Sequence, residues 1–184
     1  MNKKIIIAVI VLVLAGACAG AGVAVKKYMD RKDEVKQYEF SLYAAQDRMD
    51  AFAFPMMNEV EFILGKWRMT AEARTNYESD SVEPTKEDLQ EALKELREEE
   101  AESWEYKERE IRKYVDELSG KKLHLQNPPK EMKKKYENFL TYAECWERLA
   151  ELRLNPSEAC DSYEEYEKAY MEVSSKIRAL RVKN

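Results

Sequence analysis

Three cysteines, a single histidine and a set of widely spaced aromatic residues are the side chains of this sequence with the most chemistry in them. Cys145 and Cys160 are near enough in the chain to close a loop. In an oxidising compartment a Cys145–Cys160 disulfide would stabilise the fold by roughly 3 kcal/mol in the chain-entropy picture. The bond sets a geometric condition: if the last helix began at Pro156, the two positions would sit about 9 Å apart along a helical hairpin, beyond disulfide reach. A bonded pair therefore requires that helix to begin at Ser162, whose capping box with Glu165 permits it. Otherwise both are ordinary buried thiols.

His124 is the only histidine, which excludes zinc sites built on paired histidines and leaves no spare partner for a Ser-His-Asp or Cys-His arrangement. Between Leu123 and Leu125 it reads as a loop histidine beside apolar neighbours. Beyond the N-terminal segment the glycines are Gly65 and Gly120, too few for a loop that cradles phosphates. Carboxylates are abundant, but on helices of this composition they serve solubility and i to i+4 pairing, and the run Glu98-Glu99-Glu100 reads as a solvated face. Trp104, Trp146 and the tyrosines near the C-terminus are of the type that stacks on sugars or lines a protein-binding groove; at helical spacing they read first as core. No catalytic, cofactor or metal site is expected, and the chain is not expected to be an enzyme.

The elements that would hold these residues are helices. Charged residues make up 36% of the chain while Gly and Pro number five each, a composition that favours long helices over strands. A first apolar face runs through Val35, Tyr38, Leu42, Ala45, Met49, Phe52, Met56, Ile63, Trp67 and Thr70 in steps of three and four. Pro55 lies inside it and predicts a kink or break near Phe54, and the cluster Phe52 to Met57 is apolar enough to be buried on several sides. After a polar turn from Asn76 to Pro84, Thr85 reads as the N-cap of a second helix with face Leu89, Leu93, Leu96, Trp104, Ile111, Val115 and Leu118, ending at Gly120. Its register moves by one between Leu96 and Ile111. Asn127-Pro128-Pro129 and Asn155-Pro156-Ser157-Glu158 each place a cap residue before proline and predict two more helices. One presents Met132, Tyr136, Phe139, Ala143, Trp146 and Ala150, and the other Tyr163, Tyr166, Tyr170, Val173, Ile177 and Leu180. The expected fold is all-α: an N-terminal transmembrane helix (residues 1–27) continuing into an antiparallel up-and-down helical bundle (residues 28–184).

Residues 1–27 supply the membrane part of that expectation. Lys3 and Lys4 precede 21 uncharged residues, Ile5 to Val25, which would span about 31 Å as a helix against a hydrocarbon core of roughly 30 Å. Three fates fit the residues: an uncleaved anchor, cleavage at the Ala15-Gly16-Ala17 or Ala17-Cys18-Ala19 signature, or lipidation at Cys18, whose preceding Leu14-Ala15-Gly16-Ala17 is similar to a lipobox. Gly16 and Gly20 have the spacing through which two membrane helices pack, giving a homodimer contact. Lys26, Lys27, Arg31, Lys32 and Lys36 outnumber Lys3 and Lys4, which by charge counting favours a cytoplasmic C-terminus. The signal-like layout favours export, and export is the orientation expected here. Residues 28–184 hold all 36 acidic residues and 27 of the 31 basic ones, a net charge of −9 that repels nucleic acid and anionic lipid headgroups.

The stretch from Trp67 through Leu123, the Asn127-Pro128-Pro129 start, the aromatic helix Tyr136 to Leu152 and the Asn155-Pro156-Ser157 turn before Ser162-Tyr163 carry a resemblance. Together they resemble a group of uncharacterised, N-terminally membrane-anchored extracytoplasmic helical proteins of Gram-positive bacteria. The resemblance implies an extracytoplasmic helical domain, and it carries no activity and no site residues. The expected role is a membrane-tethered cell-envelope protein, structural or protein-binding, with an unidentified protein partner. The alternatives are a small-ligand or glycan-binding helical domain and a secreted or lipoprotein form.

Overall fold

A computed structural model describes residues 3–74 and 82–181, with side chains from Tyr28 onward except that of Leu123. All elements among the described residues are helical: α1 (Lys3–Arg74), α2 (Lys86–Glu99), α3 (Ala101–His124), α4 (Lys133–Leu154), the single turn α5 (Pro156–Ala159) and α6 (Tyr163–Arg181). Among the described residues no helix is long and apolar enough to cross a membrane. The side chains of Ile5 to Val25, and with them the expected spanning segment, Cys18 and the Gly16/Gly20 contact, lie outside the described ones.

α1 is the spine against which the other helices run up and down. α2 and α3 return along it, with Arg74 paired to Asp88 at one end, Lys66 to Glu95 and Glu99 next, then Lys107 to Glu59. Lower still, the Tyr114 hydroxyl donates to the Ala45 carbonyl and the Tyr38 hydroxyl to the Leu125 carbonyl. α4 runs parallel to α1, from Lys135 on Glu39 to Arg153 on Glu59. α6 comes back, from Arg68–Glu167 to Arg181–Asp50. The up-and-down bundle expected from the sequence is thus formed, and α4 and α6 make its hairpin.

The faces read from spacing are the buried ones: Leu42, Ala45, Met49, Met56, Ile63 and Trp67 on α1, Leu89, Leu93 and Leu96 on α2, Phe139, Ala143 and Trp146 on α4, Tyr166, Tyr170 and Ile177 on α6. Several boundaries differ from expectation. The second helix is broken at Glu100, whose φ of −125° and ψ of 28° interrupt the ladder between Leu96 and Trp104. That break absorbs the one-residue register shift, so Trp104, Ile111 and Leu118 still face the core that Leu89 to Leu96 face. Gly120 does not stop α3. It keeps helical backbone, and the turn goes on until the Leu125 N–H reaches the Lys121 carbonyl and buries Leu125. The left-handed residue that turns the chain is Asn127, φ 63°, a conformation Asn tolerates better than most residues.

Pro128 does not open α4 either. A 3-10 turn, Lys130–Met132, intervenes, and α4 starts at Lys133. Pro55 leaves α1 unbroken. Ala51 and Pro55 both lie on the exposed side of α1, where the carbonyl that loses its partner meets water, while Ala53, Met56 and Met57 hold the opposite side in the core. For the same reason the Phe52 to Met57 cluster is buried on one side only: Phe52 is half-buried and Phe54 is exposed.

The joint between α1 and α2 is fixed by a capping box. Thr85 Oγ accepts from the Asp88 N–H, the Asp88 carboxylate accepts from the Thr85 N–H at 2.8 Å, Arg74 binds the same carboxylate, and Trp67 Nε1 donates to the Thr85 carbonyl at 2.6 Å. Burial works against the charge on Asp88, but the Thr85 N–H and hydroxyl and the Arg74 guanidinium outweigh it and hold the carboxyl below its usual range. A depressed folded pKa contributes stability that is complete above the ordinary Asp value of about 3.9 and is lost as pH falls through the lower folded value. Asp88→Ala should therefore cost about 2 kcal/mol at neutral pH, measured by urea denaturation. Asp88→Asn should flatten the acid limb of the stability profile; an unchanged limb would show that Asp88 is not what titrates there.

Candidate functional site

The residues singled out for chemistry are dispersed by the fold. Cys145 and Cys160 are both free thiols in the structure, the second of the two alternatives the sequence leaves open. α6 does begin at Tyr163 with Ser162 as its cap, the Glu165 N–H donating to Ser162 Oγ at 3.2 Å, as the bond would have required. The reason for the free thiols is the hairpin register. Tyr166 donates to the Leu152 carbonyl at the closed end, Cys145 has Glu172 and Lys176 as its charged neighbours several turns along α6, and Cys160 stays at the closed end beside Arg148. Burial pushes both thiols up from their ordinary value, which leaves less of the reactive thiolate at neutral pH.

His124 is the last residue of α3 and is exposed, not a loop residue tucked among apolar neighbours. It borders a cleft of about 440 Å³ between α1 and the end of α3, together with Glu34, Ser41 and Lys121. The Ser41 hydroxyl donates to the Gln37 carbonyl one turn back in α1, and among the described residues His124 has no hydrogen-bond partner, so the cleft assembles no nucleophile and base. The rings offered for stacking are in the core: Trp146 Nε1 donates to the Met49 carbonyl at 3.0 Å, Tyr114 meets the Trp146 ring edge-on at 5.2 Å, and Tyr166 is fully buried.

Trp104 belongs to a buried polar cluster that sequence reasoning missed. The Arg153 guanidinium, 1% exposed, lies 3.6 Å above the Trp104 ring centroid and donates through Nε to Glu59, whose other oxygen takes Lys107 at 3.2 Å. Arg153 Nη2 and Trp104 Nε1 are buried without a hydrogen-bond partner. The cluster sits just past the break at Glu100 and ties α3 and α4 to α1. Beside it Glu59, Lys107, Phe52, Met56, Tyr106 and Ile111 border a pocket of about 260 Å³.

The feature least explained by packing is on the outside of α1. Met29, Phe40, Phe54, Phe62 and Met69 are 54%, 76%, 37%, 47% and 63% exposed, and Ala44, Ala51, Asn58 and Gly65 are exposed with them. From Phe40 these positions follow one another in steps of three or four through Asp47 to Met69, so they form a line along one side of the helix, opposite the core face. Met29, Phe40 and Phe62 fall on an eleven-residue spacing whose other positions are the small Ala51 and Ala73, and eleven residues is close to three turns, so a straight helix drifts only about 20° over each such step. The stripe stays on one side from end to end. Its charged members are Asp33, Lys36 and Asp47, and the Arg181 guanidinium touches its edge, 4.6 Å over the Phe54 ring.

No protein-family model, curated protein or solved structure matches the chain.

Proposed function

We propose that the protein is a membrane-tethered interaction module of the cell envelope, held by Ile5 to Val25 with its bundle on the outer side, and that it docks through the outward stripe of α1. The observation that supports this reading is the stripe itself. Single exposed apolar residues are ordinary on a soluble surface, whereas five large ones aligned over the length of a helix are the composition of a helix that has a partner. The apolar N-terminal segment is in the same helix, so the anchor and the docking face form one rod. Lys3 and Lys4 followed at once by an apolar stretch favour export of the bundle.

The test uses the full chain in its membrane, with a photo-cross-linking residue placed at Phe40 or Phe62 and, as control, at Met171, which is equally exposed but on α6. The expected result is a discrete adduct from both stripe positions and none from Met171, in a chain that resists carbonate extraction. A retained chain with no adduct at the stripe would sink the docking role; release by carbonate would sink the tether.

A further inference from the structure

We infer that the occupant of the stripe is a second copy of this chain: two α1 helices pair in parallel and in register between Phe40 and Met69. The inference rests on the membrane-tethered reading, because two chains anchored in one membrane present α1 side by side and pointing the same way.

Area is the first support. Large apolar side chains expose about 200 Å² each when fully free, so the exposures of Phe40, Phe54, Phe62 and Met69 amount to roughly 450 Å² per copy and about 900 Å² for a pair, with the small residues still to add. A specific interface needs about 1,200 Å² in total. The stripe comes to about that size once the exposed Ala44, Ala51, Asn58 and Gly65 are counted, which places a pair of copies at the lower edge of specific interfaces.

Shape is the second. Each ring has a small residue one turn away on the same line: Phe40 has Ala44, Phe54 has Ala51 and Asn58, and Phe62 has Asn58 and Gly65. In a parallel pair a residue of one helix enters the space between residues three and four apart on the other. In register each position faces its own counterpart, so Phe40 packs on Phe40 and Phe62 on Phe62 while the small residues one turn away leave room for the rings, and Gly65, with nothing within 4 Å of where its Cβ would be, lets the two backbones approach. The stripe positions from Phe40 to Met69 advance about 3.6 residues per turn, so two straight helices keep their stripes facing, which suits helices whose opposite faces are already committed to a bundle. Asn58 meets Asn58 across the pair, where two amides hydrogen-bond and fix the register. Asp47 is the one position that opposes the pairing, since it meets its own like charge.

The experiment is disulfide cross-linking of the full chain in membranes, on a background in which Cys18, Cys145 and Cys160 are serine. Ala44→Cys and Gly65→Cys, made separately, should each give a cross-linked dimer on oxidation, and Met171→Cys should give none. Both positions cross-link to themselves only if the helices are parallel and in register; an antiparallel pair would link one at most. Adding Gly16→Leu and Gly20→Leu should leave the cross-links in place, because the contact lies outside the membrane segment. Phe62→Asp should reduce the Gly65→Cys dimer roughly tenfold and Asp47→Leu should increase it. Cross-links at neither stripe position, at only one, or only to a different protein would overturn the dimer while a carbonate-resistant chain keeps the tether. Release by carbonate would overturn the tether, and the pattern of cross-links would still decide the pairing.

Discussion

Arg153→Ala is expected to destabilise the bundle by about 3–5 kcal/mol, among the largest effects of any charged residue in the chain. Arg153 is the buried cation of the core, with Glu59 as its ion-pair partner and the Trp104 ring as its floor. Removing it leaves Glu59 largely inside with only Lys107, opens a hole over Trp104, and separates three helices that meet there: α1 through Glu59, α3 through Trp104 and α4 through Arg153. The energy of the intact pair is a different quantity. Both charges were taken out of water to form it, and Arg153 Nη2 has no acceptor at all, which by itself costs about 1–3 kcal/mol. The double substitution Glu59→Gln with Arg153→Met should therefore recover most of the loss, since it removes the stranded charge and the orphaned donor while keeping the volume. Urea denaturation followed by circular dichroism measures both. If Arg153→Ala costs under about 1 kcal/mol, the cluster is not what joins these helices.

The bundle could be read from the sequence because its signals are local: apolar residues three and four apart, a Thr85–Asp88 cap, a Ser162–Glu165 cap. What could not be read depends on partners distant in the chain. Arg153 is one basic residue among 31, and nothing near it in sequence marks it as buried; its partner Glu59 belongs to another helix. The break at Glu100 was visible only as its consequence, the register shift, because Glu98, Glu99 and Glu100 are good helix formers and give no local reason to stop. Gly120 misled for the opposite reason, being a good local stop that the burial of Leu125 overrides. The placing of the two cysteines depends on register: capping told where α6 starts, and the side-by-side alignment of α4 with α6 put Cys145 opposite residues well beyond Cys160. The outward stripe of α1 was present as residues three and four apart all along, but the stronger core face with the same period in the same helix hid it. Only the exposures of Phe40, Phe62 and Met69 mark this face as apolar and uncovered.

Trp146→Ala should cost about 4 kcal/mol, because it removes a fully buried indole, its hydrogen bond to the Met49 carbonyl and the edge contact with Tyr114 at once. Trp146→Phe keeps part of the volume and should cost roughly 1–3 kcal/mol. Phe62→Ser is the informative comparison, an aromatic lost from the same bundle at a position 47% exposed. It should cost about 1 kcal/mol, since roughly half of the ring is taken out of water when the isolated chain folds. The pair of measurements separates two uses of aromatic residues in one helical protein. Trp146 holds α4 on α1 through a fully buried ring, whereas Phe62 leaves 47% of its surface free for the docking proposed for the stripe. A cost at Phe62 approaching that at Trp146, in chains kept dilute, would mean that the stripe is already covered within a single chain, and the docking role would lose the surface it depends on.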